Sequence, residues 1–317
     1  MGRRGMRGGH LQTLASFFLP RRIALPASER RLIEVEPGVQ VLCHCHWQPD
    51  RQNALTAIIV HGLEGSSQSQ YMLAIAAKGM AAGMNVVRMN QRNCGRTDAL
   101  SATLYHSGRS QDIAAVARHL LQQDRISRFA LAGFSMGGNL VLKLAGEWGS
   151  DAPPQFRGVV AVCPAVNLAA SADALHLAHN RVYEYYFMWQ LRRRLRMKAR
   201  LFPEVFDPSR LRGVRTLREF DDKITAYYCG FEGASDYYER SAAANVVDRI
   251  AVPTLILHAA NDPFIRILPE TRRKILSNPN VTFVETEDGG HCSFLAKPDG
   301  DDGRWAERRV VEFLREF

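Results

Sequence analysis

Short apolar runs alternate along the chain with longer segments of helical periodicity. Runs such as Ala57–Val60 and Asn85–Met89 have the length of buried strands. Further strands are predicted at Arg31–Val35, Val39–His46, Phe129–Ala132, Gly158–Cys163, Thr254–His258 and Val281–Glu285, and helices at Tyr71–Ala82, Ser107–Leu121, Gly138–Ala145 and Arg304–Phe317. This alternation predicts an α/β fold, with a mostly parallel sheet flanked by helices. The first two strands straddle Pro37-Gly38 and are expected to form an antiparallel hairpin at the sheet edge.

One long segment interrupts this rhythm. Residues from Pro164 to Ile250 contain no clear strand, whereas the other connections are short. A long insertion in such a sheet is typical of a lid over an active site. We therefore expect a single domain over residues 1–317, with residues 165–250 inserted in it as a helical lid.

Composition is that of a soluble globular protein, with 46% hydrophobic and 23% charged residues. No apolar run approaches the ~18 residues that span a bilayer. The apolar stretch Leu14–Leu19 after the basic start is too short for a signal peptide. Six scattered cysteines without a C-x-x-C pair favour a reduced, cytoplasmic setting.

The formal net charge of +9 is concentrated in one place. Six basic residues lie close together, namely Arg192, Arg193, Arg194, Arg196, Lys198 and Arg200. Because the excess is local and no nucleic-acid-binding motif accompanies it, we expect no nucleic acid partner. The stretch Tyr183–Leu195 predicts an amphipathic, cationic lid helix with its apolar side on an acyl pocket. Peripheral contact of the basic residues 191–200 with an anionic membrane is the alternative interpretation.

The pentapeptide Gly133-Phe134-Ser135-Met136-Gly137 carries the most specific chemistry. It lies between a predicted buried strand and a predicted helix, where a G-x-S-x-G sequence forms a nucleophile elbow. The flanking glycines are needed because a Cβ at either position would collide with the neighbouring chain. The Ser135 hydroxyl is then presented at the top of the sheet, beside a helix N-terminus.

A serine nucleophile needs a base and a carboxylate that orients the base. Asp262 directly follows the predicted strand that ends at His258, and His291 follows the last strand. The order Ser135, Asp262, His291 is the order found in α/β-hydrolases. Asp288 and Asp299 are competing acids, but neither follows the penultimate strand.

The loop His61-Gly62-Leu63-Glu64-Gly65 directly follows the first buried strand. In this fold such a loop donates one oxyanion N–H and the residue after the nucleophile donates the other, which assigns the donors to Leu63 and Met136. No metal site is expected at Cys43-His44-Cys45-His46, because alternation along a strand separates the thiols from the imidazoles. Cys292 is interpreted as a packed small residue.

Together these stretches resemble the YheT-like branch of the α/β-hydrolases, the AB-hydrolase 4 family. The resemblance covers nearly the whole chain and rests on Gly9–Thr13, His61–Ser67, Ser69–Met72, Asn90–Gly95, Tyr105–Gly108, Gly133–Asn139 and Gly289–His291. It implies acyl transfer by Ser135, Asp262 and His291 on a small-molecule or lipid ester. The run Cys43–His46 departs from the family, whose members tend to have acidic residues there.

The sequence thus predicts a serine carboxylic ester hydrolase that works through an acyl-enzyme intermediate without a metal or organic cofactor. An alcohol acyltransferase would use the same three residues with a different acceptor. A non-catalytic scaffold of the same fold, binding lipid or a protein partner through the basic lid, is the alternative from another class.

Overall fold

A computed structural model describes residues 7–19, 21–298 and 300–317. Its sheet has eight strands in the order β1-β2-β4-β3-β5-β6-β7-β8. The strands are β1 (Glu29–Glu36), β2 (Val39–His46), β3 (Thr56–Val60), β4 (Asn85–Met89), β5 (Phe129–Phe134), β6 (Phe156–Val162), β7 (Thr254–Ala259) and β8 (Val281–Thr286). Only β2 pairs antiparallel, with β1 and with β4, and the remaining pairs are parallel. Each predicted strand is confirmed, and so is the mostly parallel α/β fold.

Helices cover both faces of the sheet. They are α1 (Gly9–Phe18), α2 (Gln70–Ala81), α3 (Ser110–Gln123), α4 (Met136–Trp148), α5 (Leu168–Leu175), α6 (Arg181–Leu201), α7 (Leu217–Phe220), α8 (Tyr227–Cys229), α9 (Ala234–Ser241), α10 (Pro269–Ser277) and α11 (Trp305–Leu314). Alternate side chains of the buried strand β3 enter different cores, as the two-residue repeat of a strand requires. Ile58 packs with residues of α3 and α4, whereas Ile59 packs with residues of α2 and α11.

The connection between β6 and β7 is helical. Within the part of the chain that the structure describes, residues 165–250 form helices and turns and contain no strand. A π-helical turn, Asp221–Ala226, joins α7 to α8. We refer to residues 165–250 as the helical insertion. Two apolar clusters of its own hold it together, one around Leu168 and Tyr237 and the other around Met188 and Phe220.

Two local features differ from the sequence-based expectations. Helix α1 was not predicted, although it packs on the loops after β7 and β8. The helix predicted over Ser107–Leu121 begins later, because α3 starts at Ser110 and Arg109 stands at its N-cap. The Ser107 hydroxyl accepts a hydrogen bond from the Tyr237 hydroxyl instead, at 2.9 Å. Tertiary contact with the insertion therefore prevails over the local capping preference.

Among the described residues, no helix combines the length and the hydrophobicity needed to cross a membrane.

Candidate active site

Ser135 lies at a sharp turn between β5 and α4. Its backbone is strained, with φ 55° and ψ −118°. A Cβ at Gly133 would lie 2.2 Å from the Gly137 carbonyl oxygen, and a Cβ at Gly137 would lie 2.4 Å from the Val60 oxygen. The turn is possible because neither position carries a side chain. The half-buried Ser135 lines a cavity between the sheet and the helical insertion.

Asp262 and His291 are joined by a hydrogen bond. Asp262 follows β7, and its Oδ2 lies 2.8 Å from His291 Nδ1. Its Oδ1 accepts the backbone N–H groups of Phe264 and Ile265 at 3.1 and 2.9 Å. The carboxylate is buried, with a side chain 1% exposed. It is thereby held in one orientation, and it directs Nε2 of the imidazole away from itself.

Helix α1 supports the loop that carries His291. The Thr13 hydroxyl accepts the His291 backbone N–H at 2.8 Å. Gly9 lies so close to the loop after β7 that a Cβ there would be 1.8 Å from the Asn261 oxygen. A Cβ at Gly290 would lie 2.5 Å from the Gly9 oxygen. The Gly9–Thr13 sequence therefore holds the histidine loop in place, a role that its spacing in the sequence did not reveal.

Ser135 follows β5 and His291 follows β8, with β6 and β7 between them in the sheet, and their side chains are not hydrogen-bonded. Among the described residues, no hydrogen bond joins the Ser135 hydroxyl to the imidazole. The Val162 carbonyl accepts both the Ser135 N–H, at 2.9 Å, and the Cys292 thiol, at 3.5 Å. Phe264, which lines the same cavity as Ser135, packs against the His291 ring with centroids 4.4 Å apart. His291 Nε2 instead lies 3.9 Å from Cys292 Sγ.

The charges around His291 favour its protonated form. Burial alone would lower the pKa of this imidazole, but the neighbouring Cys292 and the Asp262 carboxylate outweigh it and raise the pKa. Burial would likewise raise the pKa of Asp262, yet the His291 charge and hydrogen bond, together with the Ile265 N–H, lower it. Asp262 therefore stays ionised as the partner of the imidazole.

The two backbone amides predicted as oxyanion donors lie beside Ser135. Leu63 packs on Met136, and both line the cavity. A Cβ at Gly62 would lie 3.7 Å from Ser135 Oγ. Within residues 7–19, 21–298 and 300–317, neither the Leu63 N–H nor the Met136 N–H donates to a protein acceptor. Both residues therefore line the same cavity as Ser135, with backbone N–H groups that have no acceptor in the described part of the chain.

An ion pair that the sequence did not predict holds the Leu63 loop. Glu64, which has φ 54°, accepts hydrogen bonds from Nε and Nη2 of Arg194, each at 2.8 Å, and from the Tyr105 hydroxyl at 2.7 Å. Tyr105 in turn accepts the Glu64 backbone N–H at 3.2 Å. The Glu64 and Arg194 side chains are 4% and 13% exposed. Helix α6 of the insertion is thus tied directly to the loop beside the serine.

This pairing removes Arg194 from the basic residues of 191–200 that could face solvent or a membrane. Arg194 is directed inward, and Lys198 is buried, donating to the backbone carbonyls of Asp98 and Ser101. The exposed cations of this stretch are Arg193, Arg196 and Arg200.

The cavity beside Ser135 is mainly apolar. Its apolar lining comes from the Leu63 loop, the segment before α3, the insertion and the loop after β7, and includes Leu104, Leu168, Leu175, Phe187, Leu191, Leu195, Leu217, Phe220, Phe264 and Ile265. One carboxyl group also lines it. Asp221 accepts the hydroxyls of Tyr238 and Thr225 at 2.7 and 2.8 Å, and burial raises its pKa to about 6 although these hydrogen bonds lower it.

Comparison with known proteins agrees with this arrangement. A family model described as the alpha/beta hydrolase fold matches residues 58–298. The chain is 30% identical over 318 residues to YheT of Escherichia coli (strain K12), an esterase by name, covering 99% of this chain and 92% of that protein. The chain is a YheT-like member of the α/β-hydrolase fold family.

More distant relatives differ in their named activities. Phospholipase ABHD3 of Mus musculus is 29% identical over 250 residues, with 78% of this chain and 60% of that protein covered. Medium-chain fatty acid ethyl ester synthase/esterase 2 of Saccharomyces cerevisiae is 25% identical over 287 residues, covering 82% and 62%. The Pyrococcus furiosus esterase Pf2001 matches in structure with a TM-score of 0.59 at 17% identity, covering 94% of this chain and 98% of that one. That structural likeness shows the fold.

The remaining sequence-based candidates of this hydrolase lie apart from the Asp262–His291 pair. Asp288 accepts hydrogen bonds from the Gly8 N–H and the Asn261 amide. Asp299 falls outside the described residues. Along β2, Cys43 and Cys45 both pack in the core, while His44 bonds to Ser28 and His46 to Arg88. The thiols and imidazoles of this strand are thus separated as the alternation predicts.

We expect Arg194→Met to destabilise this hydrolase by about 3–5 kcal/mol, because it leaves the buried Glu64 carboxylate without its cation. Urea unfolding measures the effect. Arg193→Met on the exposed side of the same helix is the matched control and should stay within about 0.5 kcal/mol of the parent. Equal losses for the two variants would contradict a structural role of the ion pair.

Proposed function

We propose that the protein is a serine carboxylic ester hydrolase in which Ser135, His291 and Asp262 act as nucleophile, base and orienting acid. The observation that carries the proposal is the strained Ser135 at the strand–helix turn, with the hydrogen-bonded Asp262–His291 pair after β7 and β8 at the same edge of the sheet. The family to which the chain belongs and the names of its relatives support hydrolysis of an ester.

In the proposed mechanism His291 Nε2 removes the Ser135 proton as the hydroxyl attacks the ester carbonyl. Asp262 holds Nδ1 and stabilises the imidazolium that forms. The N–H groups of Leu63 and Met136 then donate to the tetrahedral oxyanion. His291 returns the proton to the leaving alcohol, and water attacks the resulting acyl-enzyme. The mechanism requires the Ser135–His291 hydrogen bond to form when substrate is bound, and catalytic hydrogen bonds commonly tighten only in that complex.

The cavity supports an ester with an apolar acyl group. Its wall is largely aliphatic and aromatic, and it begins at Ser135. The helical insertion supplies much of this wall through α5, α6 and α7, which supports its assignment as a lid over a single hydrolase domain. The phospholipase and fatty-acid ethyl ester names of two relatives are consistent with a lipid ester as substrate.

Transfer of the acyl group to an alcohol is the second candidate. The relative named as an ethyl ester synthase/esterase shows that one protein can carry both descriptions. The two reactions share the acyl-enzyme and differ in the acceptor alone. Product analysis of the purified protein, with an ester and graded concentrations of ethanol, distinguishes a free acid from a new ester.

We expect Ser135→Ala to reduce the turnover of a p-nitrophenyl ester by about 10⁴-fold or more, because the variant lacks the nucleophile. It should also abolish labelling by a fluorophosphonate probe. Ser277→Ala, at the exposed end of α10, is the matched control and should keep both. Turnover that survives in Ser135→Ala would favour the non-catalytic scaffold with an unspecific background.

The raised pKa of His291 predicts that the acid limb in the profile of kcat/KM against pH is displaced to higher pH. The base must be neutral, so kcat/KM should rise with pH through a value above that of an ordinary histidine. The groups that face the imidazole are Asp262, Cys292, Cys163 and His258. Cys292→Ser removes one cause of the raised pKa and should move the limb to lower pH. A limb that stays in place would contradict this influence, and Cys229→Ser in the insertion is the control.

We also propose that the protein contacts anionic membranes through α1 and α6. Exposed apolar side chains form a patch across the two helices, comprising Leu11, Leu14, Phe17, Phe18, Val182, Tyr185, Tyr186 and Trp189. Phe17 contacts Tyr186 edge-on, with centroids 6.0 Å apart, which makes the patch continuous. In the described part of the chain, Arg193, Arg196 and Arg200 form no ion pair, so their charges are available to lipid phosphates.

Replacing Arg193, Arg196 and Arg200 by serine should weaken binding to phosphatidylglycerol vesicles by about 100-fold at low salt, from about 1 kcal/mol for each arginine. Co-sedimentation measures this binding, and high salt should weaken it in the parent. The triple serine variant of Arg118, Arg157 and Arg315, exposed arginines on other elements, is the charge-matched control. Equal binding to phosphatidylglycerol and phosphatidylcholine would contradict the proposal.

A further inference from the structure

Two thiols and an imidazole meet behind Ser135. Cys163 follows β6, and Cys292 follows His291 directly. One donor atom from each of Cys163, His291 and Cys292 lies within 4.8 Å of the other two. The Cys292 N–H donates to Cys163 Sγ at 3.4 Å, and Cys292 Sγ lies 3.9 Å from His291 Nε2. The proposed ester chemistry uses only the imidazole of this group.

The backbone holds both thiols in place. Cys163 has φ 44° and Cys292 has φ 58°, the left-handed conformation that side chains rarely adopt. Packing of β6 and of the histidine loop maintains this strain at two positions of one cluster. Since Nδ1 of His291 is bonded to Asp262, the nitrogen left for a ligand is Nε2.

Two cysteines and one histidine are a ligand set for zinc-like cations. Thiolate and imidazole select soft or borderline metals over magnesium and calcium. Sites with two cysteines and one histidine leave a fourth position for water. Asp262 on the far side of the imidazole supplies the carboxylate that commonly orients a metal-bound histidine. A second buried histidine, His258, has an Nδ1 without a hydrogen-bond partner among the described residues and lies beside Cys163 and Asp262.

We propose that Cys163, Cys292 and His291 Nε2 form an inhibitory site for a soft divalent cation of the zinc group. Binding exchanges two protons for the metal, one from the Cys163 thiol and one that Cys292 and His291 Nε2 share: M²⁺ joins two sulfurs and one nitrogen, and two H⁺ are released to solvent. No electron is transferred. A cation at Nε2 occupies the lone pair that would accept the Ser135 proton, and this consequence rests on the proposed function. Metal binding itself does not.

Cadmium provides a readout that is independent of activity, because cadmium–thiolate bonds absorb in the ultraviolet. Titration of the full chain in degassed buffer should give this charge-transfer band at one equivalent of Cd²⁺. Ser135→Ala should keep the band although it lacks ester turnover, which separates failure of this site from failure of the proposed function. A wild-type protein with no band, or a band that needs many equivalents, would overturn the site.

Single substitutions assign the ligands. Cys163→Ser and Cys292→Ser should each remove most of the band and weaken Zn²⁺ inhibition, relative to each variant's own activity. Loss of a ligand should weaken metal binding by more than the ~10–100-fold that is typical when a group hydrogen-bonded to a ligand is removed. Cys229→Ser, a cysteine of the insertion outside the cluster, is the matched control and should leave the band and the inhibition unchanged. Should the buried Cys163→Ser fail to fold, Cys292→Ser and the wild-type stoichiometry decide the question. Inhibition that is equal in Cys292→Ser and Cys229→Ser would refute the proposal.

Discussion

The turn at Ser135 depends on a contact that only backbone atoms can make. The chain passes from β5 into α4 within one residue, and the carbonyls of Gly137 and Val60 occupy the space where side chains of Gly133 and Gly137 would lie. Two consequences follow from this close packing. The serine is forced into a strained conformation, and the first amides of α4 are left beside it without helical acceptors. The strained serine and the unpaired amides beside it therefore arise from the same steric constraint.

Two helices outside the sheet hold the loops around this turn. Helix α1 accepts the His291 N–H through Thr13, and α6 binds the Leu63 loop through the Arg194–Glu64 ion pair. Further polar contacts support both helices: Gln12 of α1 accepts the Leu295 N–H, and Lys198 of α6 donates to the Asp98 carbonyl. Because a buried carboxylate without its cation is costly, the Leu63 loop cannot keep its position if α6 moves away. The position of the helical insertion is thus physically coupled to that of the Leu63 loop.

Apolar runs and chain order predicted the sheet and brought Asp262 and His291 to adjacent strand ends. A buried parallel strand can be recognised in a sequence, because it is short, apolar and followed by a turn. Helix α1 could not be predicted in this way, because its packing depends on Gly9 and Gly290 meeting across the fold. For a related reason, net charge could not indicate which arginines are exposed. Arg194 and Arg193 are equivalent in composition, and only the fold decides which one is directed inward.

The chemistry of the site turns on a single nitrogen. Asp262 occupies Nδ1 of His291, so every other partner of the imidazole must compete for Nε2. In the structure Cys292 Sγ lies 3.9 Å from Nε2, whereas the proposed reaction needs the Ser135 hydroxyl there. An ionised thiol at this position raises the pKa of the imidazole and so opposes its action as a base at low pH. A serine or alanine side chain at position 292 would not raise the pKa of the imidazole in this way. The presence of a cysteine at position 292 therefore favours a role for its sulfur beyond packing.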